Sequence, residues 1–248
     1  MGLVTLIYGV ISYLTFFAAF LYLIAFVGAD QAAIAGAPKT IDWGEPLGVF
    51  APPALQNSLL LLLFGLSHSV MARPGFKAWW TKIVSPAAER STYVLVASLA
   101  LILTYAFWRP MPQVVWSMTG LWSGVMTALF LAGFLVVLLS TFIINHFDLF
   151  GLKQAWARFK NTQPTHGPFA TPYFYAFVRH PLYLGFVIAF WAAPTMTAGH
   201  LLFAAVMTIY IFVAIGYEER DLIAHFGDDY RRYMERVPAI FPIGARKK

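Results

Sequence analysis

Cysteine is absent from this 248-residue sequence, which excludes disulfides, thiolate-held metals and a cysteine nucleophile. Charge is scarce as well. Only 11% of residues are Asp, Glu, Lys or Arg, against roughly a quarter in an ordinary soluble domain. No Gly-x-Gly occurs and no stretch shows the alternation of a strand series. A soluble nucleotide-binding sheet domain of the Rossmann kind is therefore excluded. Internal repeats and low-complexity segments are missing too.

What the sequence does contain is apolar. Such residues make up 60% of it, and the mean hydropathy is +0.69. A single core cannot enclose that much apolar surface in a chain of this length, so lipid must be the solvent for much of it. Four uncharged runs reach spanning length: residues 3–27, 54–71, 92–108 and 121–144. At helix rise they extend roughly 25–38 Å, against a hydrocarbon core of ~30 Å. The first has no basic segment before it and no spaced small-residue cleavage signal, so it reads as a retained helix.

A fifth stretch, 182–217, is too long for one ordinary span. It is interrupted by Pro194-Thr195-Met196-Thr197-Ala198-Gly199, which is turn chemistry. This predicts a helical hairpin whose first arm, 182–193, measures ~18 Å and either crosses or re-enters. The fold class is then all-α: a polytopic transmembrane bundle of four spanning helices plus a C-terminal hairpin, forming one integral membrane domain over 1–248. Gly120-x-x-x-Gly124 either admits a neighbouring helix closely or is incidental in a glycine-rich chain.

Charge sets the orientation. Lys39 is the one basic residue between the first two spans, beside Asp30, Asp42 and Glu45, and Arg109 stands alone between the third and fourth. The second gap holds Arg73, Lys77, Lys82 and Arg90, the fourth holds Lys153, Arg158, Lys160 and Arg179, and seven basic residues follow the hairpin. With those two gaps and the tail inside, fifteen of the seventeen basic residues are cytoplasmic, as the positive-inside rule expects. Both termini are thus expected in the cytoplasm, with the chain multi-pass in the cell's inner membrane. The net charge of +6 reflects this asymmetry rather than a nucleic-acid partner, and no obligate protein partner is predicted.

Polar residues of catalytic type gather at the expected cytoplasmic ends. They are His68 and Arg73; Asn145, His146 and Asp148; Arg179 and His180; and Glu218, Glu219, Arg220 and Asp221. Histidines and carboxylates from four segments point to a site, whereas plain interfacial anchoring would favour Lys and Arg. In Arg179-His180-Pro181-Leu182-Tyr183-Leu184-Gly185 the proline suits a first helical position, leaving unpaired N–H groups beside a guanidinium. That is a carboxylate or phosphate site, or else a headgroup anchor. Glu218 and Glu219 point ~100° apart on a helix, so one faces a cavity and the other the tail. Gly227 reads as a C-cap. His146 and Asp148 follow a span, where either accepts a proton or orients the other.

These motifs carry a resemblance. Arg-His-Pro-x-Tyr-x-Gly at 179–185, a short hairpin, Glu-Glu-x-x-Leu from 218 and Phe-Gly-x-x-Tyr from 226 resemble membrane methyltransferases of the isoprenylcysteine carboxyl methyltransferase type over roughly 170–240. Upstream, His68-Ser69-Val70-Met71-Ala72-Arg73-Pro74-x-Phe76-Lys77 resembles the NnrU branch of that superfamily. The full set includes Glu89-Arg90-Ser91-Thr92-Tyr93 and Asn145-His146-Phe147-Asp148-Leu149-Phe150-Gly151. It is most similar to bacterial methanethiol S-methyltransferases over nearly the whole chain.

The resemblance implies S-adenosyl-L-methionine as cofactor, a small thiol as acceptor and the lipid bilayer as surroundings. Methanethiol would become dimethyl sulfide, and hydrogen sulfide is a possible second acceptor. The family motif carries over onto His180, Pro181, Tyr183, Glu218 and Glu219, with Arg179 beside them as the expected carboxylate partner. A thiol is mostly protonated near neutrality, which calls for a base. His146 is expected in that role, with Asp148 orienting its ring. The alternatives are a lipid or prenylated-cysteine acceptor, a haem protein using His68, His146 and His180, and a sterol-reductase-like NADPH enzyme.

Overall fold

The structure, a computed structural model, describes residues 2–28, 37–163 and 171–241. Asp30, Arg246, Lys247 and Lys248 of the charge pattern, and residue 170 of the C-terminal motif, lie outside the described residues. The described elements run α1 (Gly2–Gly28), α2 (Pro53–Ala72), α3 (Pro74–Trp80), α4 (Pro86–Phe107), β1 (Val114–Ser117), α5 (Gly120–Ile144), α6 (His146–Leu149) and α7 (Leu152–Lys160). A 3₁₀ turn (Tyr173–Ala176) then leads to α8 (Pro181–Trp191), β2 (Thr195–Thr197), α9 (Ala198–Phe226) and α10 (Asp228–Arg236).

Local chemistry explains many of these boundaries. Pro53, Pro74, Pro86 and Pro181 each occupy a helix start, where a missing N–H costs nothing and the fixed φ is preorganised. Thr197 caps α9 by accepting from the His200 N–H at 3.1 Å. Gly227 ends that helix with a positive φ of 58°.

α1, α2, α4, α5 and α9 are long and apolar enough to cross a membrane. Ile7, Leu62, Leu99, Leu131 and Phe212 on these helices are exposed, as a lipid-facing surface requires. This is the architecture of a multi-pass membrane protein. Inside, Leu23, Phe26, Leu61, Phe134, Phe190 and Phe203 belong to one contiguous core.

The hairpin is uneven. α8 has 11 residues, ~16 Å or about half a hydrocarbon core. It packs on α5 where two glycines meet: a Cβ on Gly133 would stand 2.7 Å from the Gly185 carbonyl oxygen, and one on Gly185 2.6 Å from the Gly133 carbonyl oxygen. Backbone contact of this kind admits no side chain. The crossing lies four residues into α8 but eleven from the end of α5, so α8 starts ~10 Å inside the bundle. The missing turns leave room for a cavity.

The structure chooses between the two readings of Gly120 and Gly124 and adds to the expected turn at 194–199. A Cβ on Gly120 or Gly124 meets nothing within 4 Å, so the close approach belongs to Gly133 and Gly185, and Gly120 instead supplies a positive φ of 59° at the start of α5. The interruption at 194–199 is more than a turn. Its β2 pairs antiparallel with β1, adding a two-stranded sheet to an otherwise helical fold. α9 continues to Phe226 and carries Glu218–Asp221 within the helix, ending at Gly227 as expected.

Candidate active site

Where α2 and α5 end and α4 and α8 begin, a cavity of about 730 Å³ lies between the helices. That volume is in the range of small-molecule sites. Its inner wall is aromatic and aliphatic, with Phe20, Phe134, Phe186 and Phe203, and its polar groups come from separate elements: His68, Arg90, His146, His180 and Glu218. The expected convergence of four segments is thus realised in one cavity.

The Arg179-His180 pair is a clamp. Their backbone N–H groups donate to the carbonyls of Pro238 and Ala239 at 2.9 and 3.0 Å. The Arg179 guanidinium donates to Glu219 Oε1 from Nε at 2.8 Å and lies 2.7 Å from it at Nη2. Its Nη1 donates to the Met234 carbonyl at 3.2 Å and also to that of Val237. His180 Nε2 meets the same Glu219 oxygen at 3.1 Å. The Arg179 and Glu219 side chains are only 9% and 14% exposed, a burial tolerated because each charge has partners. This clamp binds the segment after α10 to the start of α8. Pro181 then points the helix inward from it.

Glu218, one residue along α9, turns toward the cavity and keeps 43% of its side chain exposed. Tyr183 borders the same cavity beside it. At the rim Arg73 pairs with Asp221 at 2.9 Å and lies over the Tyr217 ring. Arg220 lies against Tyr217 as well.

His146 sits on the cavity wall with both ring nitrogens engaged. Thr141 gives its proton to the Leu138 carbonyl at 2.7 Å, so its oxygen accepts from Nδ1–H at 2.8 Å. Tyr13 is then the donor to Nε2 at 2.9 Å. Burial holds this imidazole below its ordinary pKa. Asp148 is not the residue that orients the ring: it takes Gln154 Nε2 at 2.6 Å and Lys153 Nζ at 3.5 Å. Residues two apart on a helical turn point ~200° from each other, so the pair diverges. Asn145 serves as the cap of α6.

On the facing wall His68 Nε2 and the Tyr93 hydroxyl are 2.6 Å apart. The ring stacks on Phe64, and His68 Nδ1 is buried without a hydrogen-bonding partner among the described residues. Arg90 lies 5.0 Å above the Tyr93 ring and donates to the Leu149 carbonyl at 2.7 Å.

Sequence reasoning did not place Tyr13, Tyr93, Thr141, Tyr175 and Tyr210 at the site. All five border the cavity or contact its histidines. A signal existed in the hydroxyls interrupting apolar runs, but helix-end charges outshone it.

Comparison with known proteins adds an independent line. The profile of the family described as NnrU protein matches residues 58–234. The chain is 52% identical over 241 residues to methanethiol S-methyltransferase 1 of Bradyrhizobium diazoefficiens, covering 96% of this chain and 82% of that one. It is 49% identical over 246 residues to the methanethiol S-methyltransferase of Mycobacterium tuberculosis, covering 96% of each. Human Nurim is 30% identical over 184 residues, which is 70% of this chain and 69% of that protein. No solved structure matches. A profile spanning most of the bundle, from α2 into α10, together with near-full-length relatives, makes the chain a member of the NnrU family, in the branch that holds the methanethiol S-methyltransferases.

Proposed function

We propose that the protein transfers a methyl group from S-adenosyl-L-methionine to methanethiol, releasing dimethyl sulfide. The observation that carries this reading is near-full-length identity of about one half to proteins named methanethiol S-methyltransferase. The cavity supports it. Glu218 offers a carboxylate to an ammonium group, and Tyr93, Tyr175, Tyr183 and Tyr210 offer aromatic faces to a sulfonium. The residues therefore fit such a cofactor, and the volume leaves room for a small thiol.

When bound, S-adenosylmethionine supplies an electrophilic methyl on a positively charged sulfur. The chain's own tasks are then alignment and exclusion of water. A thiolate approaching a sulfonium annihilates two opposite charges, so the aromatic wall of the cavity favours that approach over hydrated ions. In this reading the clamp of Arg179, His180 and Glu219 frames the cofactor together with Pro181 and Tyr183, while Glu218 touches it. The half-motif 170–240 is then the cofactor-binding part of a single domain. Of the three histidines considered for haem, His180 faces Glu219 and His146 is held by Thr141 and Tyr13, which leaves no set of free ligands among the described residues.

The cavity end is placed in the cytoplasm with both termini, on the strength of the charge asymmetry. Reporter fusions after Lys248 and within 74–89 should report cytoplasm, and one within 32–45 the opposite side; an external C-terminus overturns this orientation. The function is tested by headspace detection of dimethyl sulfide from purified protein given methanethiol and S-adenosylmethionine. No dimethyl sulfide above a cofactor-free control overturns it.

A further inference from the structure

We infer that His68, backed by Tyr93, is the group that contacts the acceptor sulfur and removes its proton. This rests on the methyl-transfer reading above and assigns the acceptor side of the same cavity.

The argument starts from hydrogen-bond accounting. A buried polar nitrogen left without a partner costs free energy, and a protein keeps one mainly where a ligand or water completes it. Five buried side-chain atoms lack a partner among the described residues. Those of Trp80, Ser140, Gln154 and His200 belong to residues that do not line the cavity. His68 alone lines it. His146, the residue the sequence favoured, has no spare ring nitrogen, and taking a proton there would require giving up Tyr13.

Geometry gives His68 the features of a base. With the ring proton on Nε2, His68 donates to the Tyr93 oxygen at 2.6 Å and keeps the Nδ1 lone pair for a ligand. The Tyr93 hydroxyl can accept as well as donate, so this hydrogen bond is compatible with the Nε2–H tautomer, which proton removal at Nδ1 requires. Phe64 stacks on the ring at 5.3 Å and Tyr210 packs edge-on at 6.4 Å, which holds its plane. The Arg90 guanidinium above Tyr93 and Arg73 on the next turn of chain favour a thiolate over a lasting imidazolium. Glu218 and Tyr183, the proposed cofactor side, border the same cavity.

The step balances. The S–H bond of methanethiol breaks and its proton passes to Nδ1, while the freed sulfur pair forms the new S–CH₃ bond. The donor's methyl–sulfur bond breaks with its electrons returning to that sulfur. One positive charge thus moves from sulfonium to imidazolium and leaves as a proton to water.

The experiment compares two acceptors. Methanethiol carries a proton at neutral pH, whereas methaneselenol is already ionised and needs no base. In His68→Gln, turnover of methanethiol at pH 7 should fall ~100-fold, the scale of general-base catalysis. Turnover of methaneselenol should stay within about threefold, and calorimetric affinity for S-adenosylmethionine should be unchanged. Tyr93→Phe should show a weaker form of the same acceptor dependence. A second readout needs no turnover: in cofactor-free wild-type protein, the ¹⁵N resonance of His68 Nδ1 should shift on titration with methanethiol. Equal loss on both acceptors, wild-type thiol turnover in His68→Gln, or an unmoved Nδ1 resonance each overturns the assignment. So does an acceptor-dependent loss in His146→Ala in place of His68→Gln. If the wild type methylates neither acceptor, the methyl-transfer reading falls first and this inference with it.

Discussion

At the end of the bundle where α1 and α4 finish, buried polar side chains are consumed by backbone. Gln56 accepts from the N–H groups of Phe50 and Ala51 and donates to the carbonyls of Gly48 and Phe107. Asn57 brackets the peptide of Arg109 from both sides. Lys39 donates to the carbonyls of Glu45 and Ala106, and Trp108 donates to that of Ile41. At the cavity end, polar side chains also meet one another, and some keep capacity to spare: the Glu218 side chain is 43% exposed and His68 Nδ1 has no partner among the described residues. The lesson is that backbone partners make a seal, because peptide groups neither move nor titrate. Side-chain partners make a site, since charge and valence remain available to a ligand.

The sharpest way to break this comparison is at the clamp. Arg179→Ala leaves Glu219 buried beside His180, a loss on the order of 3–5 kcal/mol for a buried pair deprived of one member. Thermal unfolding in detergent should show it, together with earlier proteolysis after α10. Undiminished stability would mean that Arg179 is held for a ligand rather than for the fold.

At the sealed end, Gln56→Leu strands two N–H groups and two carbonyls, with an expected cost of about 2–3 kcal/mol in stability. Affinity for S-adenosylmethionine should not change beyond the fraction of protein folded. A specific loss of affinity would show that the two ends are coupled.

Glu218→Gln is its mirror. Stability should hold while cofactor affinity falls by about 2 kcal/mol, the scale of a charge-assisted hydrogen bond, as calorimetry would report. If Glu219→Gln alone produced that loss, the cavity-facing carboxylate would not be the one that binds.

The smallest effect concerns pH. Burial lowers the His146 pKa in the fold, so between that value and the unfolded ~6.5 the unfolded chain binds more protons. Stability should therefore be fully present above ~6.5 and decline as pH falls, by under about 1 kcal/mol at the first unit. His146→Asn should flatten that acid limb in unfolding measured from pH 7.5 to 5.5. An unchanged slope would remove His146 as its source.

Much of this was legible beforehand. Uncharged runs located four of the long helices, with boundaries close to 3–27, 54–71 and 121–144, because lipid permits few charges in a span; α4 starts at Pro86, six residues before the run 92–108, because its first turns carry Glu89 and Arg90. Pro181 marked the start of α8, and Gly227 the end of α9, since each has one conformational use there. The ~100° between Glu218 and Glu219 announced that they part company. The Asp148 expectation did not carry through to the geometry, because sequence proximity on a tight turn separates side chains as readily as it joins them.

What the sequence determined by itself was the apolar surroundings, the position of the long apolar helices and which end gathers titratable groups, because each depends on composition along one segment. Tertiary structure decided the rest. Only the meeting of Gly133 with Gly185 sinks α8 and opens the cavity. Only packing of α2 on α4 sets His68 against Tyr93, 25 residues apart. A partner's distance is a property of two segments at once, and no single run of residues contains it.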